Sequence, residues 1–222
     1  MLTVIGQFLP NAFGIALSPM PLIFLLVLMF SSRPRIKAIS LVLGWWIGVA
    51  LMAGLVIALG LEPSTNGPRA GMGWVNLAMG LLFAFLAVTS WRGRPRPDKP
   101  SRDPGWMSKV DDMSPIAVLG FTAVLIAINA KNTALIVTGA LWISGSAIPI
   151  LQQIIALAIF AVLSSAFALA ITAAFLLAGQ RVEPMLTALK EWLERNNAYV
   201  MTFLFAYLAV SALGKAISMM GS

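Results

Sequence analysis

The chain has 222 residues, 59% hydrophobic and only 10% charged, with a mean hydropathy of +0.91. A soluble domain carries about 25% charged residues, so this composition excludes an ordinary soluble core and defines an all-α polytopic membrane protein. Cysteine and histidine are both absent. That removes disulfides, thiolate metal sites and dithiol relays, together with the commonest general base and metal ligand. The net charge of +7 falls in short loops between apolar runs, where the positive-inside rule accounts for it without nucleic acid.

The first segment, Met1-Leu-Thr-Val-Ile5, has no basic flank, and no cleaved signal peptide is expected from it. The first span is expected from about Leu2 to Phe30, longer than the roughly 20 residues needed to cross. It is interrupted by Ser18-Pro19-Met20-Pro21. Each proline lacks an N–H and clashes with the preceding turn, and Ser18 before Pro19 reads as an N-cap before an N1 proline. Two half-helices meeting at mid-membrane are the expectation.

Arg33, Arg35 and Lys37 form a basic loop before a second span, about Ile36 to Leu61. Gly44 and Gly48 give it the four-residue spacing of small residues that lets helix backbones approach closely. Trp45 and Trp46 lie roughly 13 Å into that span at 1.5 Å per residue, deeper than an interfacial belt. They either pack or line a substrate path. A polar turn, Glu62 to Arg69, leads to a third span, Ala70 to Trp91.

Residues 92–113 are basic and proline-rich, a linker that divides a first repeat (1–91) from a second (114–222). The linker is a topology signal or a contact for anionic headgroups. Ser114-Pro115, another cap-like pair, opens a fourth span that runs to about Ser144. A fifth, Pro149 to Gly179, contains Ser164, Ser165 and Thr172. Residues 180–196 are amphipathic, with Val182, Leu186, Leu189 and Leu193 at helical spacing, and are expected to lie along the membrane surface before a sixth span, Asn197 to Met219.

The fourth span carries Asn129, Lys131 and Asn132 at its centre. Lys131 is the one ionisable residue well inside a hydrophobic run, at a cost of roughly 2.5–3.5 kcal/mol or more on insertion scales, and so a functional candidate. No acidic residue lies deep in a span to pair with it. It is neutral through desolvation, or charged and held by the asparagines and freed carbonyls, or the counter-ion of an anionic substrate, or a structural residue snorkelling along a wet crevice. Half-helices starting after Ser18 and near Asn129 would aim N–H groups and positive dipole ends at one region, which favours an anion.

Three spans, a linker and three spans form an odd-numbered unit repeated, so the second copy must be inverted. A shift of 111 residues places Ile15-Ala-Leu-Ser18 on Ile126-Ala-Ile-Asn129, so both broken spans break at the same point. Paired interruptions of this kind point to a transporter site. The loops after spans one, three and five hold Arg33, Arg35, Lys37, the six basic residues from Arg92 to Lys109, and Arg181, Lys190 and Arg195. The other side holds Arg69 and Lys215. The basic side is therefore expected in the cytoplasm and both termini outside. Catalytic chemistry is poorly supplied, with Lys131, Ser18, Ser164 and Ser165 the only groups available for a Ser–Lys pair and no recognisable motif. No enzyme, metal or cofactor is expected.

Ala16-Leu-Ser-Pro-Met-Pro-Leu22, Arg33-Pro-Arg35, Gly44-Trp45 and Asn129-Ala-Lys-Asn132 together resemble the GAP family, the glycopeptidolipid- or sulfolipid-addressing proteins of mycobacteria and their relatives, within the LysE exporter superfamily. The likeness covers nearly the whole chain. The family's second motif usually reads Asn-Pro-Lys-Asn; Ala130 stands at the proline here, which implies a gentler kink in the fourth span. The resemblance implies export of cell-envelope lipids or glycolipids, with Ser18, Pro19, Pro21, Asn129, Lys131 and Asn132 as binding residues. Trp45, Trp46, Ser164 and Ser165 are candidates for the path lining.

The sequence thus reads as six transmembrane helices in two inverted three-helix repeats, with spans one and four broken, in a bacterial inner membrane. The expected activity is translocation of an anionic or phosphorylated lipid or glycolipid. The alternatives are an assembly role in envelope-lipid export and a small-solute, amino-acid-type exporter. Partners would be the bilayer and the lipid; homo-oligomers and contacts with envelope-lipid synthesis or export proteins stay open.

Overall fold

The computed structural model describes residues 1–59, 70–94, 110, 112–146 and 148–220. Nine α-helices are seen among them: α1 (Leu2–Ala16), α2 (Pro19–Met29), α3 (Pro34–Ala58), α4 (Ala70–Arg92), α5 (Pro115–Ile128), α6 (Ala130–Ser144), α7 (Ile150–Ser164), α8 (Ala166–Ala178) and α9 (Glu183–Met220). A single 3-10 turn, Gly179–Val182, joins α8 to α9. The turn expected at Glu62–Arg69 and most of the 92–113 linker lie outside the described residues.

Large apolar side chains are turned outward as well as inward. Along α3, Leu43, Ile47, Leu51, Leu55 and Leu59 form an exposed stripe at four-residue spacing, while Leu41, Trp45, Val49 and Ala53 are fully buried. A continuous exposed apolar stripe on a 25-residue helix suits lipid and not water. By length and composition α3 and α9 can each cross a membrane, and three bent pairs, each counted as one span, raise the number to five. The described apolar stretch of α4, Asn76–Arg92, is too short to count among them.

The first expected break is present. α1 and α2 meet at 52°, with Pro19 at the first position of α2 and Ser18 extended before it. Ser114 caps α5 as expected, its hydroxyl accepting from the Ala117 N–H at 3.2 Å. The fourth span breaks at Asn129, where α5 and α6 turn by 76°. The bend exceeds that at the proline pair of the first span. The Asn129 side chain caps α6, and the Thr133 hydroxyl reaches the Ala127 carbonyl and the Asn129 carbonyl, which also accepts the Thr133 N–H.

The fifth span, read as continuous, is also broken. α7 and α8 meet at 63° at Ser164-Ser165. Ser164 Oγ donates to the Ala161 carbonyl at 2.8 Å and Ser165 Oγ to the Val162 carbonyl at 3.0 Å. The Val162 carbonyl also accepts from the Ser165 backbone N–H at 3.1 Å, so the hydroxyls add donors at the bend, which contains neither proline nor glycine.

The amphipathic segment is not a separate surface helix. It is the first part of α9, a single helix of 38 residues and so roughly 57 Å long, well beyond a hydrocarbon core of about 30 Å. Pairs at i,i+4, Lys190–Glu194 and Glu191–Arg195, carry the helix through the charged stretch. Val182, Leu186, Leu189 and Leu193 do share one face, packed on the core.

Helix contacts define the assembly. α3 lies along α5, α4 along α9, and α1 against both α6 and α7. The Gly44–Gly48 spacing works as expected: Gly44 faces the Leu119 backbone carbonyl, and a Cβ on Gly48 would stand 2.7 Å from the Ala123 carbonyl oxygen. Phe8 meets Phe160 edge-on at 5.3 Å, joining α1 to α7, and Phe24 meets Phe121 at 5.0 Å, joining α2 to α5.

Candidate functional site

The two polar breaks touch. α1 ends at Ala16, and its last turn leaves carbonyls without helical partners. Lys131, in the first turn of α6, donates from Nζ to the Gly14 carbonyl at 2.9 Å and to Ser18 Oγ at 2.6 Å. Ser18 Oγ in turn donates to Asn132 Oδ1 at 2.8 Å. Ser18 stands at the N-cap position of α2 but makes no capping bond with its side chain; the hydroxyl is committed across the interface.

Ser18, Lys131 and Asn132 are all at least 97% buried. No carboxylate pairs with Lys131 among the described residues. The Asn132 amide nitrogen has no hydrogen-bond partner there either. The cluster therefore holds a surplus donor: the Lys131 amine already serves two acceptors, and the Asn132 amide NH2 beside it has none among the described residues. Such a surplus in a dry interior favours an added acceptor.

The other candidates divide. Asn129 is half-buried, and its side chain is the α6 cap, accepting from the Asn132 N–H at 3.3 Å. Pro19 and Pro21 are buried in the first turn of α2 and set its direction. Trp45 is fully buried against the core with its indole N–H unpartnered. Trp46 is half-buried and donates from Nε1 to Ser165 Oγ at 2.8 Å, tying α3 to the third bend. Ser164 and Ser165 are fully buried at that bend.

Several polar residues at this level escaped the sequence reading. Asn11 is buried in α1 and donates to the Leu135 carbonyl of α6 at 3.1 Å, one turn beyond Lys131. An asparagine inside an apolar run was the available signal. Lys215, assigned above to the outer side, stands within α9 with its ammonium 5.0 Å from the centre of the Trp142 ring, a cation–π contact. Lys37, assigned to a basic loop, is 99% buried in the first turn of α3. It donates to Ser31 Oγ, Ser32 Oγ and the Val110 carbonyl, so the end of the 92–113 linker is pinned to this helix.

Apolar helices of crossing length packed around a buried, donor-rich polar centre define a membrane protein. The family described as Sap, sulfolipid-1-addressing protein, matches residues 8–218, and the chain belongs to that family. No curated protein and no solved structure matches it.

Proposed function

We propose that this protein is a membrane transporter that moves an anionic cell-envelope lipid or glycolipid outward from the cytoplasmic leaflet. The observation that carries the reading is the junction of the two breaks: Lys131 and the Asn132 amide form a buried donor cluster, with no carboxylate among the described residues, where the end of α1 meets the start of α6. The family description supplies the lipid class, a sulfolipid, whose sulfate is a suitable acceptor for that cluster.

The proposed architecture is six spans in two inverted repeats of three, with α4 as the third span. It is supported by an exchange of partners: α3 lies along α5, and α7, its counterpart in the second half, lies along α1, the counterpart of α5. Kinship with LysE-type exporters is part of this reading. So are a cytoplasmic 92–113 linker and two outside termini, in a bacterial inner membrane, supported by the bias of basic residues towards one set of loops. Lys131 and Ser18 act in binding and not in covalent chemistry, and no cofactor or metal takes part.

The test is outer-leaflet appearance of the envelope lipid, normalised to folded protein recovered in detergent, for variants at Lys131. Lys131→Met is expected to abolish transport while keeping or raising stability, because a costly buried charge is removed. Lys131→Arg is expected to retain part of the activity. Full transport by the Met variant overturns the reading. Unchanged export with both Lys131→Met and the Pro19→Ala, Pro21→Ala pair favours an assembly role in its place.

A further inference from the structure

A second basic site lies about half a membrane away from Lys131. α2 runs 11 residues from the first bend to Met29, and α8 runs 13 residues from the third bend to Ala178. At 1.5 Å per residue these are roughly 16 and 20 Å, against about 15 Å for half a hydrocarbon core. α2 and α8 touch, and their far ends open on one cavity of about 560 Å³. Its wall includes Met29, Arg35, Phe175, Gly179, Arg181 and Glu183. Gly179, at φ 57°, follows α8, and Arg181 and Glu183 beyond it line the same cavity as Arg35.

The volume lies within the range of small-molecule sites, roughly 300–1,000 Å³. Neither arginine is in an ion pair among the described residues, and both side chains are exposed. Two guanidinium forks from opposite halves of the chain, facing one space, match the oxygens of a sulfate or phosphate group. Glu183 leaves the wall with one net positive charge and supplies an acceptor for hydroxyl groups. Met29 and Phe175, both buried in the core, give it an apolar floor.

We propose that this cavity is a loading site that captures the headgroup of a singly charged, hydroxyl-bearing lipid, a sulfated or phosphorylated sugar or glycerol, before it reaches Lys131. The inference rests on the transporter reading for its direction, but the site can be tested by binding alone.

The experiment measures lipid binding to the purified full chain in neutral detergent by native mass spectrometry. The ligands are 3-sulfogalactosylceramide, galactosylceramide and inorganic sulfate. The wild type is expected to prefer the sulfated lipid by on the order of tenfold, as one or two charge-assisted hydrogen bonds allow. Arg35→Ala with Arg181→Ala is expected to erase that preference. Arg33→Asn removes a neighbouring charge outside the cavity and suits the left-handed backbone of Arg33, so it is expected to keep the preference. Loss of preference in Arg33→Asn as large as in the double variant overturns the site in favour of diffuse attraction. So does displacement of the lipid by inorganic sulfate at equal concentration, which would mean capture of the free ion. A preference abolished by Lys131→Met but kept by the double variant overturns the cavity and leaves the central site standing. The converse, with full transport by Lys131→Met, overturns the central site and leaves the cavity standing.

Discussion

Ser18 and Lys131 are 113 residues apart in sequence and 2.6 Å apart at Oγ and Nζ. The hydroxyl that would cap a half-helix is used to hold an ammonium from the other half of the chain. One serine thereby joins the break in the first span to the break in the fourth, since it also donates to Asn132 Oδ1.

Ser18→Ala is expected to destabilise the protein by about 1–3 kcal/mol, because it strips Lys131 and Asn132 of partners inside a dry centre. It removes no capping bond. Thermal unfolding in detergent reads the loss. If the unfolding temperature is unchanged, the Ser18–Lys131 bond adds nothing to the fold. Transport by this variant is expected to fall further than its stability, since the ammonium loses its fixed direction.

A second expectation separates two glycines of one helix. Gly44→Ala puts a methyl group into the Leu119 carbonyl and pushes α3 off α5, at a cost of about 1–3 kcal/mol. Gly54 has open space around its Cβ position, so Gly54→Ala is expected to be neutral or to gain up to about 1 kcal/mol from helix propensity. The unfolding temperatures of the two variants should move in opposite directions or differ clearly. Equal effects would reject close backbone approach as the role of Gly44.

The sequence disclosed these features unequally. Pro19 and Pro21 announce the first bend because proline removes an N–H whatever surrounds it. Asn129, Lys131 and Asn132 announce the second because polarity in an apolar run needs a reason. Ser164-Ser165 registers as polarity in a span but gives no signal of a bend, because serine is common in straight membrane helices; only the structure shows the turn there. α9 misled in the opposite direction. Its charges look like a surface helix, yet no glycine or proline occurs from Met185 to Leu213 to end it. Aligning the two halves puts both breaks at the same point of their repeats, but that Lys131 meets Ser18 is seen only in the structure. That it also takes the Gly14 carbonyl follows only from the packing of α1 on α6.

The orientation has its own test, helped by the absence of native cysteine. A single cysteine in place of Asp98 should react with a membrane-impermeant maleimide only after the cells are opened. One in place of Asn66 should react in intact cells. Labelling of the Asp98→Cys variant in intact cells would reverse the topology proposed from the basic loops.

The third bend can be tested through Trp46 and Ser165, whose side chains join α3 to the junction of α7 and α8 at 2.8 Å. Ser165→Ala leaves the indole N–H unpartnered and removes one donor from the Val162 carbonyl. Trp46→Phe removes the same tie from the other side while Ser165 keeps its backbone bond. The two changes are therefore expected to be non-additive, with a coupling of roughly 0.5–1.5 kcal/mol, the range of interhelical hydrogen bonds in membranes. The measurement is unfolding in detergent for the wild type, both single variants and the double variant. Additivity within about 0.3 kcal/mol would mean that packing alone sets the bend. Because α8 leads from this bend toward the Arg35–Arg181 cavity, the same four proteins should also differ in transport. If the bend fixes the direction of α8, transport per folded protein falls in both single variants, and the double variant is no worse than Ser165→Ala. Normal transport in all of them would confine the Trp46–Ser165 bond to stability.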